Sequence, residues 1–97
     1  MRKLATRLQA HLDLEEAVSW YESRRPSLGL RLLDEFDYVM KRIAAAPLQF
    51  PAIHSQVRRA LLKRFPYSVY FVADDEQIEV IAVLHQHRHP DTWRNRL

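Results

Sequence analysis

Residues 28–47 read LGLRLLDEFDYVMKRIAAAP, and this stretch decides the fold. Leu32, Leu33, Phe36, Val39, Met40 and Ile43 recur at i, i+1, i+4, i+7, i+8 and i+11, one face of a helix with a 3.6-residue period. Pro47 ends the pattern, because its ring blocks the next helical hydrogen bond. Upstream, residues 8–25 carry a second helical pattern. Ala10, Leu14, Ala17, Val18 and Tyr21 share one face, while Glu15, Glu16, Ser19 and Glu22 fall mainly elsewhere. Pro26 stops this helix, and Arg24 and Arg25 complement the negative end of its dipole. Ser27 is read as the N-cap of the second helix. Two long helices joined by so short a break form an antiparallel hairpin.

Downstream of Pro47 the texture changes. Residues 47–56, PLQFPAIHSQ, contain two prolines and read as a loop, with Phe50 and Ile53 pinning it to the core. Residues 57–65 mix charged and apolar positions, as a strand with one wet face does. Residues 67–73, YSVYFVA, are dense in β-branched and aromatic residues. The polar run 74–77 reads as a turn, and residues 78–85, IEVIAVLH, as a second dense strand. That strand is apolar on both faces from Val80 onward, which marks it as central. Residues 2–6 are a candidate short edge strand, and a last helical turn is expected around residues 91–96. Helices grouped ahead of strands predict an α+β domain: an N-terminal helix hairpin packed on an antiparallel β-sheet, with a candidate N-terminal edge strand. Its 97 residues suffice for one domain and one core, so residues 1–97 are read as a single unit.

Composition excludes several chemistries. There is no cysteine, hence no disulfide frame, thiolate nucleophile or cysteine-based zinc site. Gly29 is the only glycine, so dinucleotide, P-loop and nucleophile-elbow motifs cannot be written. The apolar run 80–84 falls far short of the roughly 20 residues of a membrane helix. The basic N-terminus has no apolar signal core, so no secretion signal is expected and the protein is expected in the cytoplasm. The net charge is +3, and its distribution is uneven. Between Tyr38 and Ala73 there is no Asp or Glu, while Lys41, Arg42, Arg58, Arg59, Lys63 and Arg64 lie in that window. Such a span is a candidate contact for an anion, nucleic acid included; a solvated basic face is the plainer alternative.

Few side chains offer chemistry. His85, His87 and His89 alternate, with Arg88 between the last two. Alternating imidazoles on a strand can ligate a metal. No carboxylate completes a ligand set, however, and Pro90 ends the strand, so partly exposed histidines at a strand end are the preferred reading. No metal or cofactor is expected. The same groups can serve RNA cleavage, which needs a base, an acid and cations for the phosphate. His85 and His87 supply the acid and base, Arg88 and Arg58 the charge, and Tyr67 or Trp93 a stacking surface. Arg58 and Arg59 leave opposite faces of one strand, one toward the helices or a loop carbonyl and the other toward solvent. Pairing of one of them with Glu35 is an alternative to phosphate binding. Trp20 and Tyr21 are read as core, His11 and His54 as surface, and Asp13, Glu15 and Glu16 as a solvated helix face.

Seven local motifs then coincide, in order, with those of a known family. Asp13-Leu14-Glu15-Glu16-Ala17 with Trp20-Tyr21-Glu22 resembles the first helix of RelE/ParE-type toxins. Pro26-x-Leu28-Gly29, Pro47-x-x-Phe50-Pro51, Val57-Arg58-Arg59 and Phe65-Pro66-Tyr67 continue the resemblance. Ala82-Val83-Leu84-His85-x-x-Arg88-x-Pro90-x-x-Trp93 completes it. The likeness is strongest to the ParE-like, plasmid-stabilisation branch. It implies the toxin of a type II toxin–antitoxin pair, neutralised by a cognate antitoxin whose disordered or helical segment wraps it. ParE-like members poison DNA gyrase, and RelE-like members cleave mRNA on the ribosome. Arg88 falls where RelE-like enzymes hold the transition-state phosphate. Trp93 falls near their catalytic tyrosine, and Tyr67 where they place another arginine. An indole accepts no proton. The leading expectation is therefore a gyrase-binding toxin with Arg58, Tyr67, His85, Arg88 and Trp93 on the target surface. The alternatives are a ribosome-dependent mRNA interferase using His85, His87 and Arg88, and an inactive toxin fold that only binds its antitoxin.

Overall fold

The computed structural model describes residues 2–87 and 91–97. Strand β1 (Lys3–Thr6) is followed by helices α1 (Leu8–Arg24) and α2 (Leu28–Ala45). A 3-10 turn over Pro47–Gln49 leads into β2 (Ala52–His54), β3 (Val57–Leu61), β4 (Tyr67–Ala73), β5 (Gln77–His85) and a final turn α3 (Asp91–Arg94). The strands form one sheet in the order β1-β5-β4-β3-β2. The helix hairpin and the dense strands are as the sequence predicts, and β5 is interior.

Four details differ from expectation. The sheet is mixed, because β1 runs parallel to β5, pairing Lys3 with Gln77 through Thr6 with Val80. Residues 52–54 of the expected loop form a short edge strand against β3. The strand expected over 57–65 ends at Leu61, after which the chain loops through Pro66. Ser27 occupies the N-cap of α2 with φ 74° but makes no side-chain capping bond. Glu22 of α1 performs that task instead: its carboxylate accepts Ser27 N–H at 2.8 Å and Gly29 N–H at 2.9 Å. Two orphan amides at the positive end of α2 are thereby satisfied by an anion.

Each face of the sheet carries a core. The helices cover one face with Leu14, Leu32, Phe36, Val39 and Ile43 against Val69, Phe71, Ile78, Val80 and Val83. The opposite face holds Val57, Tyr70, Ile81, Ala82 and Leu84, covered by Trp93 with Ile53 packed alongside. A β-bulge makes this second core possible. Tyr70 pairs with Ala82 but Phe71 with Val80, so Ile81 is an extra residue. The insertion lets Ile81 and Ala82 face the same side before alternation resumes.

The hairpin of helices depends on Gly29. A Cβ there would stand 2.5 Å from the Val18 carbonyl oxygen and 3.0 Å from Glu22 Cβ. The obstacle at Val18 is backbone, so it cannot swing aside. Gly29→Ala is expected to destabilise the fold by about 1–3 kcal/mol through overpacking, read as a lower midpoint in urea unfolding. An unchanged midpoint would show that the helices separate without penalty.

The β4–β5 turn carries a pH signature. Asp74 Oδ1 accepts the N–H groups of Glu76 and Gln77, both at 2.8 Å. These bonds, with Gln77 the larger influence, hold the Asp74 carboxyl below its usual range. Its contribution to stability is therefore present above the unfolded carboxyl value and is lost as pH falls through the folded one. Asp74→Asn should flatten the acid side of the stability–pH curve relative to wild type, as followed by thermal melting between about pH 2 and 5.

Candidate functional site

The end of β5 and the flank of α1 form a cleft of about 610 Å³ lined by Asp13, Glu16, Ala17, Trp20, Tyr21, Tyr67, Val83, Leu84, His85 and His87. Its origin lies in unequal strand lengths. β1 is only four residues long and covers β5 from Gln77 to Val80, leaving the rest of that edge without a strand partner. Chain leaving β1 turns into α1, with Arg7 N–H donating to the Val80 carbonyl at 3.0 Å.

Asp13 closes the gap just beyond Val80. Its Oδ2 accepts Val83 N–H at 3.0 Å and Arg96 Nη1 at 2.5 Å, and Oδ1 accepts Arg96 Nη2 at 3.1 Å. Arg96 Nη1 also donates to the Ile81 carbonyl at 3.2 Å. Arg7 joins the group, donating to Glu79 Oε1 at 2.8 Å and to the carbonyl of Arg96. Asp13 is thus not part of a solvated face; its side chain is 14% exposed and that of Arg96 is 15%. Sequence reasoning missed this pair because nothing local in the sequence links positions 13 and 96.

Of the residues the sequence singles out, Tyr67, His85 and His87 meet in the cleft. Tyr67 and His85 are cross-strand partners with edge-to-face rings 5.4 Å apart. The His85 and His87 rings lie 5.3 Å apart. The chain turns after His85, so His87 no longer follows the strand alternation. His87 N–H donates to His85 Nδ1 at 3.1 Å, which commits that nitrogen as an acceptor. Tyr21 extends the aromatic wall, with ring centroids 6.1 Å from Tyr67 and 4.9 Å from Trp20. Burial raises the Tyr21 phenol above its ordinary value, so it remains a neutral donor at physiological pH. Trp20 is 51% exposed, not core, and Arg24 stacks over it at 4.6 Å. The Glu16–Trp20 spacing of four residues, which puts both on one side of α1, was the signal that could have found this wall.

Other predicted site residues lie elsewhere. Arg58 pairs with Phe71 in the sheet, four positions along β4 from Tyr67, roughly 13 Å at strand rise. Its guanidinium donates to the Phe50 carbonyl at 2.6 Å, as expected for the arginine facing the loop. Arg59 is not solvated on the other face but half-buried, with Nε buried and without a hydrogen-bond partner. Glu35 pairs with neither arginine; it accepts the backbone N–H groups of Lys63 at 2.5 Å and Arg64 at 3.0 Å. Trp93 is 4% exposed and stacks on Tyr70, with centroids 5.5 Å apart and planes 17° apart. It is a packing residue of the second core rather than a face offered to a target. Arg88 and His89 lie outside the described residues. Among the described residues, no group of three or more His, Asp or Glu side chains is arranged to hold a metal.

Carboxylates and aromatic rings therefore dominate the cleft, and no Lys or Arg lines it among the described residues. Such a lining suits a protein surface better than a phosphate.

A family model described as the ParE toxin of the type II toxin–antitoxin system, parDE, matches residues 5–90. The chain belongs to the ParE toxin family. Toxin ParE2 of Mycobacterium tuberculosis, in strains CDC 1551 / Oshkosh and ATCC 25618 / H37Rv, is 38% identical over 80 residues, covering 81% of this chain and 76% of that protein. A solved structure titled as a chromosomal ParDE toxin–antitoxin system from P. aeruginosa superposes with a TM-score of 0.78 at 21% identity, over 88% of this chain and 96% of that one. That likeness establishes the fold: two long helices on a five-stranded sheet. As a type II toxin, the protein has an antitoxin as its partner.

Asp13→Ala should leave Arg96 and Val83 N–H without their anion in a largely buried setting. A loss of roughly 3 kcal/mol is expected in denaturant unfolding, with Arg96→Ala similar and the double variant far from additive. Additive single effects would show that the two side chains act independently.

Proposed function

We propose that this ParE-family toxin arrests growth in the cytoplasm by binding DNA gyrase, without cleaving RNA. The observation that carries the reading is the chemistry of the cleft. An RNA phosphate entering beside His85 would meet the Glu16 carboxylate, while the guanidinium of Arg96 beside the cleft is already committed to Asp13. Acid–base cleavage also requires two free proton-transfer groups and charge stabilisation. His85 Nδ1 is already occupied by a backbone amide, and Trp93 is spent on Tyr70. Family membership supplies gyrase as the target class. The target surface is assigned to the end of β5, with Tyr67, His85 and His87 and the Arg88 that follows them in sequence.

The test combines two assays on purified toxin. Gyrase supercoiling should fall in proportion to added toxin. Cell-free translation should proceed with mRNA ends intact by primer extension. Cuts at the ribosomal A site would overturn the proposal in favour of the interferase reading, in which His85→Ala or Arg88→Ala would lower cleavage by about a hundredfold or more. Loss of neither activity alongside a tight antitoxin complex would leave an inert toxin fold. Given gyrase inhibition, His85→Ala and Arg88→Ala should relieve it while melting as the wild type does. Full inhibition by both folded variants would remove the end of β5 from the target surface.

A further inference from the structure

The face of the sheet turned away from the helices carries a guanidinium that the fold leaves without a task. Arg59 is two positions from Val57 along β3, so both leave the strand on the side where Val57 joins the second core. Across the ladder Arg59 stands beside Tyr70. It is half-buried, and its Nε is buried without a hydrogen-bond partner. Its terminal nitrogens make no hydrogen bond or ion pair among the described residues either. Arg58, its neighbour in sequence, spends its guanidinium on the Phe50 carbonyl. A guanidinium stays charged at every physiological pH, and one partly stripped of water is held more strongly by an oxyanion than an exposed one is.

Further cationic and imidazole groups collect around the same aromatic pair. Trp93 stacks on Tyr70, and the exposed Arg94 guanidinium lies 5.4 Å from the centre of the Trp93 ring. The His54 ring lies 5.7 Å from Trp93. The acids of this face are engaged already: Glu79 pairs with Arg7, and Asp91 has an interaction of its own. The outcome is a surface that favours an anion.

The aromatic pair narrows the choice of anion. Trp93 is 4% exposed with its ring against Tyr70, so it offers no platform on which an unpaired base could stack. Arginines without a stacking platform hold phosphates and read no base. A duplex presents a continuous line of phosphates with its bases stacked inside. Gyrase supplies such a duplex, because it holds DNA while it acts.

We propose that Arg59 and Arg94 grip the backbone of the DNA that gyrase holds while the toxin is bound to the enzyme. The inference rests on the gyrase reading and adds a second contact to it. His85 lies two positions from Val83 and faces the helices with it, whereas Arg59 lies on the opposite face of the sheet. The toxin then stands between enzyme and DNA, with the cleft turned to the one and the arginines to the other.

The experiment uses the full chain, purified gyrase and a short labelled DNA duplex followed by fluorescence anisotropy. Wild-type toxin should bind the duplex alone with a Kd on the order of 10 µM, whatever its sequence, and more weakly as salt rises. Arg59→Gln and Arg94→Gln should each lower the salt slope by about one, and the double variant should lose about tenfold in affinity. Arg94→Gln alters an exposed side chain, so the test stands even if Arg59→Gln melts early. Arg59→Lys should recover much of the loss, since it restores the charge. Binding to gyrase without DNA should be unchanged in all variants, and inhibition of supercoiling should weaken in the double variant. Duplex affinity and supercoiling inhibition that both survive in a folded double variant would overturn the DNA contact and leave the gyrase reading intact. Tighter binding to a single-stranded RNA than to the duplex would overturn it as well. Wild-type toxin that binds the duplex through Arg59 and Arg94 but neither binds nor inhibits gyrase would sink the gyrase reading, and with it the bridge between enzyme and DNA.

Discussion

Asp13 carries more of the architecture than any other polar residue. One carboxylate binds helix α1 to the uncovered edge of β5 through Val83 N–H, and to the C-terminal segment through Arg96. A backbone amide on an exposed strand edge invites pairing with foreign strands, and an intramolecular carboxylate satisfies it without adding a strand. The same bond fixes how far α1 stands from β5, and so the width of the cleft beside His85. It also anchors the segment carrying Trp93, whose stacking on Tyr70 covers the second face of the sheet. Helix packing, edge protection and the second core thus share one ion pair.

The helices were legible because their burial is periodic. Leu32, Phe36, Val39, Met40 and Ile43 are all buried, and all lie on the face that the sequence pattern marks. The dense strands β4 and β5 were legible from β-branched and aromatic content. β1 carried little signal because all four of its residues are exposed, so no alternation is written in it. Its parallel direction follows from chain reversal by the helix hairpin, a tertiary fact. β2 was hidden because two prolines, Pro47 and Pro51, precede a three-residue strand whose side chains are mostly exposed.

Legibility of the candidate site was uneven for a related reason. Residue type nominated Tyr67, His85 and His87, but the register that sets Tyr67 directly opposite His85 across adjacent strands is not written in the sequence. Residue type misled at Trp93 and Trp20. The first lies near the end of the chain yet is buried; the second lies within an amphipathic helix yet stands half in solvent. Glu22 and Glu35 were likewise invisible as anchors of backbone amides, because a carboxylate that caps a distant turn looks like any surface acid until the chain is folded.

The pairing of β1 with β5 also orders the life of the molecule in time. Lys3 must wait for Gln77, and Arg7 for Arg96. A nascent chain therefore carries its first strand unpaired until almost the whole sequence has left the ribosome. Contacts of such long separation are the last and slowest to form. The cleft beside β5 can take shape only at that final step. The topology thus delays the opening of that cleft until nearly the whole chain has been made.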